Sequence, residues 1–252
     1  MKDPRMQKLA NKLVNYSLEI KPGEKVLIEM IGSEIEIIKE LIKEVYKAGG
    51  IPFYNLINRE IQRVLLTECT AEQIIETASY EIARMKEMAA YIAIRAGENV
   101  NEMGAVPPHK MKIYNEHYLK PLHLELRVEK TRWVVLRYPN HSMAQLASMS
   151  TDDFEEFYYS VCNLDYSKMA IAMDNLVEFM ERADRVKITG AGTDLAFSIK
   201  NMKAIKCDGK RNIPDGEVFT APIRDSVQGY ITYNTPAVYE GVTYENIRLE
   251  FE

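Results

Sequence analysis

Short apolar runs and longer amphipathic stretches take turns along the first part of the chain, up to about residue 140. Residues 25–30 (KVLIEM), 51–57, 90–94 and 131–136 are the apolar runs, and their lack of alternation predicts strands buried on both faces. Between them lie helical patterns. Residues 7–18 carry Leu9, Leu13, Val14 and Leu18 near helical spacing and stop at Lys21-Pro22-Gly23-Glu24. Residues 35–48 form an amphipathic helix closed by Gly49-Gly50. A further helix begins at Thr70 and runs to Met88, and Pro107-Pro108 precedes a His-bearing helix over 110–125. Helix–strand alternation predicts an α/β fold, an open and mostly parallel sheet with flanking helices and right-handed crossovers.

From residue 142 to 183 the pattern is helical, with Phe154, Phe157, Tyr158 and Val161 on one face and Met169, Met173, Leu176 and Met180 on another. Such a stripe reads as core packing rather than a cofactor box. Beyond residue 184 the character changes to strands and turns over 186–189, 195–199, 204–207 and 229–233. The expected division is therefore an α/β domain over 1–183 and, over 184–252, the truncated first part of a β-rich (α+β) domain. Residues 242–252 alternate apolar and polar positions and predict one strand with a buried face. No turn, cap or polar tail follows Phe251, so the expectation is the front part of a longer protein.

A hydrophobic content of 46% supplies a substantial core, and the formal charge of -5, with no stripe of Lys and Arg, argues against nucleic acid as a partner. No apolar run approaches the roughly 20 residues that span a bilayer, and residues 1–5 lack the apolar core of a signal peptide. The expectation is a soluble, cytoplasmic protein with no membrane partner. Cys69, Cys162 and Cys207 are too few and too widely spaced for a disulfide framework or zinc knot, and read as reduced thiols.

Candidate chemistry is sparse. Gly190-Ala191-Gly192-Thr193-Asp194 lacks the third glycine and following helix of a dinucleotide fingerprint and reads as a hairpin turn. His109, His117, His123 and His141 form no His-Glu-x-x-His pair and read as surface or packing residues. No Gly-x-Ser-x-Gly elbow occurs, so no catalytic nucleophile and no cofactor-binding loop is assigned. Glu217 stands out. Pro214-Asp215-Gly216 predicts a tight turn, after which Glu217 enters the strand-like Val218-Phe219-Thr220, where a carboxylate can be aimed into a cleft. On the residues alone, a solvated side chain after a turn remains the plainer reading.

The run over 212–222 (NIPDGEVFTAP), with Thr189-Gly190-Ala191-Gly192-Thr193-Asp194-Leu195, residues 1–5 with 18–28, and residues 131–139, closely resembles the M29 metallo-aminopeptidases, the thermophilic metalloprotease family. The resemblance covers essentially the whole chain. It implies a homodimeric hydrolase that releases N-terminal amino acids from peptides. It also implies two co-catalytic divalent ions, zinc or cobalt, held by two glutamates, two histidines and an aspartate, with a tyrosine nearby. Glu217 corresponds to the first glutamate. The family's other ligands come later than this run, and only 35 residues, with no His among them, follow Glu217 here. The expectation is thus an N-terminal portion that lacks most of the metal site and is inactive alone. The alternatives are an inactive binding or dimerisation module of the same fold and, disfavoured by the missing glycine fingerprint, a nucleotide-binding α/β protein.

Overall fold

The computed structural model describes residues 3–239 and 242–252. Helix α1 (Pro4–Lys12) starts at Asp3, whose carboxylate accepts a hydrogen bond from the Arg5 N–H at 2.8 Å. It continues as a π-helical turn over Leu13–Ser17 and buries Leu9, Ala10, Leu13 and Val14 completely. Strand β1 (Lys25–Ile31) follows, then α2 (Ile35–Lys47), β2 (Ile51–Ile57), α3 (Arg59–Glu68), α4 (Ala71–Lys86) and β3 (Ala90–Arg95). After α2 the chain reverses at Gly49, whose φ of +80° belongs to a left-handed cap that side chains resist. Next come α5 (Pro108–Tyr114), a π-helical segment over Asn115–Val128, and β4 (Arg132–Arg137). The single α-helix expected over 110–125 is therefore wound differently. Pro121 lies inside it and has no N–H to give to an α-helical ladder.

The remainder comprises α6 (His141–Leu146), α7 (Thr151–Cys162), α8 (Tyr166–Arg182), β5 (Arg185–Gly190), β6 (Thr193–Ser198), β7 (Ile205–Cys207), β8 (Asn212–Ile213), β9 (Glu217–Phe219), β10 (Gln228–Thr232), β11 (Ala237–Tyr239), β12 (Val242–Tyr244) and β13 (Arg248–Phe251). One sheet has the order β2-β1-β3-β4-β8 and is parallel throughout. Val26, Leu27, Ile28 and Met30 of β1 and Ile92 of β3 are wholly buried, as strands covered on both faces require. A Leu buried to that degree contributes about 1.5–3 kcal/mol relative to exposure. A second sheet, β13-β10-β6-β5, is antiparallel, and β7 with β9 and β11 with β12 make two smaller antiparallel pairs. The α/β class with flanking helices, followed by a β-rich part, is the observed architecture.

Two compact units result. The first runs to Leu164 and takes in Gly209–Asp215; the second comprises Asp165–Asp208 and Gly216–Glu252. This division differs from 1–183 and 184–252 in two places, and both have local causes. Asp165 caps a new helix by accepting from the Lys168 N–H at 3.2 Å, and Lys206 ties that helix to β7 by donating to the Ala170 carbonyl at 3.0 Å and to Asp174 at 2.6 Å. Asn212 and Ile213 pair with Val135 and Leu136 of β4, which returns them to the first unit.

Residues 242–252 are not one strand. Asn246, at φ +53°, separates β12 from β13, and Leu249 and Phe251 stay exposed, so the expected buried face is absent there. The Gly190–Asp194 stretch is the two-residue connection of the β5–β6 hairpin, with Gly190 paired to Thr193. Phe157 and Leu176 are exposed, so the apolar faces of α7 and α8 are only partly core. None of the three cysteines is in a disulfide; Cys69 and Cys162 are buried and Cys207 is half-buried. No described helix is long and apolar enough to cross a membrane.

Candidate metal centre

The backbone leading to Glu217 is held at several points. Ile213, buried to 2% exposure, closes β8 and precedes Pro214 through a cis peptide bond. Asp215 then accepts from the Gly209 N–H at 3.1 Å, and Ser17 donates to the Gly209 carbonyl at 2.6 Å. Gly216 has φ +140°, a conformation that excludes most side chains, and a Cβ there would meet the Met169 sulfur at 3.1 Å. Glu217 opens β9 at this corner, opposite Cys207 of β7, with Val218 opposite Lys206 and Phe219 opposite Ile205. Thr220 adds a bond to the Lys203 carbonyl at 2.9 Å. The predicted strand is present over Glu217–Phe219, whereas in place of the predicted tight turn the chain bends at Pro214.

Alternation along β9 puts Glu217 and Phe219 on one face and Val218 on the other. Both Glu217 and Phe219 are exposed, while Val218 is half-buried. Among the described residues the Glu217 carboxylate has no hydrogen-bond or ion-pair partner, so its lone pairs are free to accept a ligand. It does not stand in a cluster: no group of three or more His, Cys, Asp or Glu that could hold a metal ion exists among the described residues. A pair of divalent ions needs several such donors at once, so the described residues do not fit a two-ion centre.

The four histidines all belong to the first unit and Glu217 to the second. His109, His117 and His141 are exposed, and His141 Nδ1 lies 3.0 Å from Thr151 Oγ1. His123 is half-buried, and burial, with Arg127 and Arg95 nearby, lowers its pKa. A neutral imidazole there is consistent with a packing residue.

A charged cluster that the sequence reading did not single out lies in the first unit. Glu29 and Arg127, both almost fully buried, pair at 3.0 Å; Tyr91 donates to Glu29 at 2.5 Å, and the Arg127 guanidinium sits 4.3 Å from the Tyr91 ring centroid. Burial alone would raise the Glu29 pKa, but Arg127, Tyr91 and Asn55 together hold it below the ordinary value. Glu29 and Arg127 line a cleft of the first unit together with Arg59, Arg95 and Arg137. The available signal was an arginine directly after an apolar run, as in Ile94-Arg95 and Leu136-Arg137, which becomes a cluster only once the strands are set in register.

Comparison with known proteins gives a consistent result. The family model described as thermophilic metalloprotease (M29) matches residues 2–252. The chain is 24% identical over 283 aligned residues to aminopeptidase PepS of Streptococcus thermophilus, covering 98% of this chain and 68% of the relative. It is 22% identical over 279 residues to aminopeptidase T of Thermus thermophilus, with the same coverage of 98% and 68%. The solved structure of wild-type AmpT from Thermus thermophilus superposes with a TM-score of 0.79 at 19% identity, covering 98% of this chain and 69% of that one.

Proposed function

Because the chain belongs to the thermophilic metalloprotease (M29) family, we propose that it is part of a metal-dependent aminopeptidase that releases N-terminal amino acids from peptides, with Glu217 as one carboxylate ligand. Peptidase chemistry is what the family and the two aminopeptidase relatives support. The observation that carries the role of Glu217 is its free, exposed carboxylate on a strand whose entry is fixed by Pro214, Asp215 and Gly216. In this reading the remaining ligands come from the share of the relatives' length that this chain does not span, about one third. The ions would be a zinc or cobalt pair, which activate water and stabilise an oxyanion when bound. No step of peptide cleavage is assigned to residues of this chain alone. A homodimer acting on peptides in the cytoplasm completes the proposal.

The second reading, a metal-free binding or dimerisation module of the same fold, is favoured by the lack of a ligand cluster among the described residues. Incubating the 252-residue chain with aminoacyl chromogenic substrates and added zinc or cobalt tests the first part. No turnover above background is expected. Chelator-sensitive turnover that survives repurification would contradict it, and a full-length protein that neither binds metal nor cleaves would favour the module.

A further inference from the structure

Arg95 and Arg137 are register partners at the last positions of β3 and β4, so two guanidinium groups leave adjacent parallel strands at one edge of the sheet. Backbones paired this way run roughly 4.8 Å apart. Like charges so placed repel, yet among the described residues neither arginine has a carboxylate partner. Arg59, the first residue of α3 after β2, faces the same cleft of about 550 Å³ and donates only to Gln62, at 2.6 Å. Burial and the charge of Arg95 lower its pKa, while the nearby Tyr114 works in the opposite direction. Arg127 also lines this cleft, and its Nε is a buried donor with no partner among the described residues.

The carboxylates of the cleft are already committed. Glu29 is paired with Arg127, and Glu102 with Arg63 at 2.8 Å. An excess of three guanidinium groups is left around a space large enough for a small ligand. Its position is also the expected one for ligands in open parallel sheets. Strand order reverses about β1, with β2 on one side and β3 on the other, and the cleft lies beyond the carboxyl ends of these strands, lined by Ile31, Ile57 and Gly97.

We propose that this cleft binds a compact dianion or trianion, carboxylate or phosphate in chemistry, through forked hydrogen bonds from Arg59, Arg95 and Arg137, with Arg127 Nε as an additional donor. Guanidinium forks match the two oxygens of a carboxylate or phosphate, and an anion between them turns their repulsion into attraction. Met103, Met111 and Leu119 form an apolar part of the wall, which leaves room for a small carbon body on the anion. Nothing in this depends on Glu217.

Isothermal titration of the 252-residue chain with pyrophosphate and, separately, citrate, at about 50 mM ionic strength, where screening is weak, is the test. Binding of at least one is expected with Kd below about 1 mM, which is roughly −4 kcal/mol. Tighter pyrophosphate binding assigns a phosphorylated ligand, and tighter citrate binding a polycarboxylate. Arg137→Gln, at an exposed position, and Arg95→Gln should each weaken binding at least tenfold with an unchanged circular dichroism spectrum, and the bound anion should raise the His123 pKa seen by NMR. Neither probe binding, or equal affinity in wild type and both folded variants, would overturn the proposal.

Discussion

Arg127→Met is the sharpest perturbation of the fold. Glu29 and Arg127 expose only 5% and 7% of their side chains, and the substitution keeps the volume of the arginine stem while deleting its charge. The Glu29 carboxylate would keep the Tyr91 hydroxyl at 2.5 Å and a long bond from Asn55 at 3.4 Å, with no cation. Breaking a buried pair this way costs about 3–5 kcal/mol. For a domain of this size that lowers Tm by roughly 6–20 °C. In the wild type the folded pKa of Glu29 is depressed, so its stabilisation is present above the unfolded pKa and is lost as pH falls through the folded value. In the variant burial dominates and the folded pKa rises, so the penalty should be full at pH 7 and shrink as the carboxyl protonates in acid. Urea denaturation followed by circular dichroism from pH 4.5 to 8 measures both. Glu29→Gln combined with Arg127→Met should recover most of the loss. A loss below about 1 kcal/mol at pH 7, or one that does not change with pH, would refute the reasoning.

Asn140→Ala should cost about 1–2 kcal/mol, read as a lower urea midpoint. Asn140 is buried, caps α6 by accepting from the Met143 N–H at 2.9 Å and donates to the Ala96 carbonyl at 3.1 Å. Leu27→Ala, at a wholly buried position between both faces of the parallel sheet, should cost about 2–5 kcal/mol by the same measurement. Burial pushes the Cys162 thiol up to about 11, so at pH 8 iodoacetamide should leave it unmodified in the folded protein and label it in urea, as peptide mass mapping would show.

How much of this was legible depended on how local each signal was. The strands β1 and β3 announced themselves because burial on both faces leaves a nearly unbroken apolar run. Burial on both faces was expected of β2 and β4 as well, but β2 ends the sheet and is mostly exposed, and β4 buries only Val134 and Leu136. The parallel pairing follows from the helices between the strands. Strand β8 is only Asn212 and Ile213, too short to carry a period, and it owes its place to β4 rather than to its own residues. The boundary at Asp165 was hidden by continuous helical patterning from 142 to 183, since a change of packing partner leaves no mark in periodicity. Pro214, Asp215 and Gly216 marked a break before Glu217 because each has a backbone preference of its own, but the break is a bend at Pro214 rather than the tight turn those preferences predicted. The arginine cleft was invisible because Arg59, Arg95, Arg127 and Arg137 are spread over nearly eighty positions and meet only through strand register.

The central claim is that Glu217 holds metal in an M29 aminopeptidase. Its most direct test compares metal content and aminopeptidase activity of the protein made from its natural gene with those of its Glu217→Gln variant. The variant keeps the volume of the side chain and removes its charge at an exposed position, so circular dichroism should not change. The account predicts that the wild type carries divalent metal and releases N-terminal amino acids, while the variant loses metal and its activity falls by about two orders of magnitude or more. Full metal content with normal activity in the variant would contradict it and leave Glu217 an exposed carboxylate at the start of a short strand.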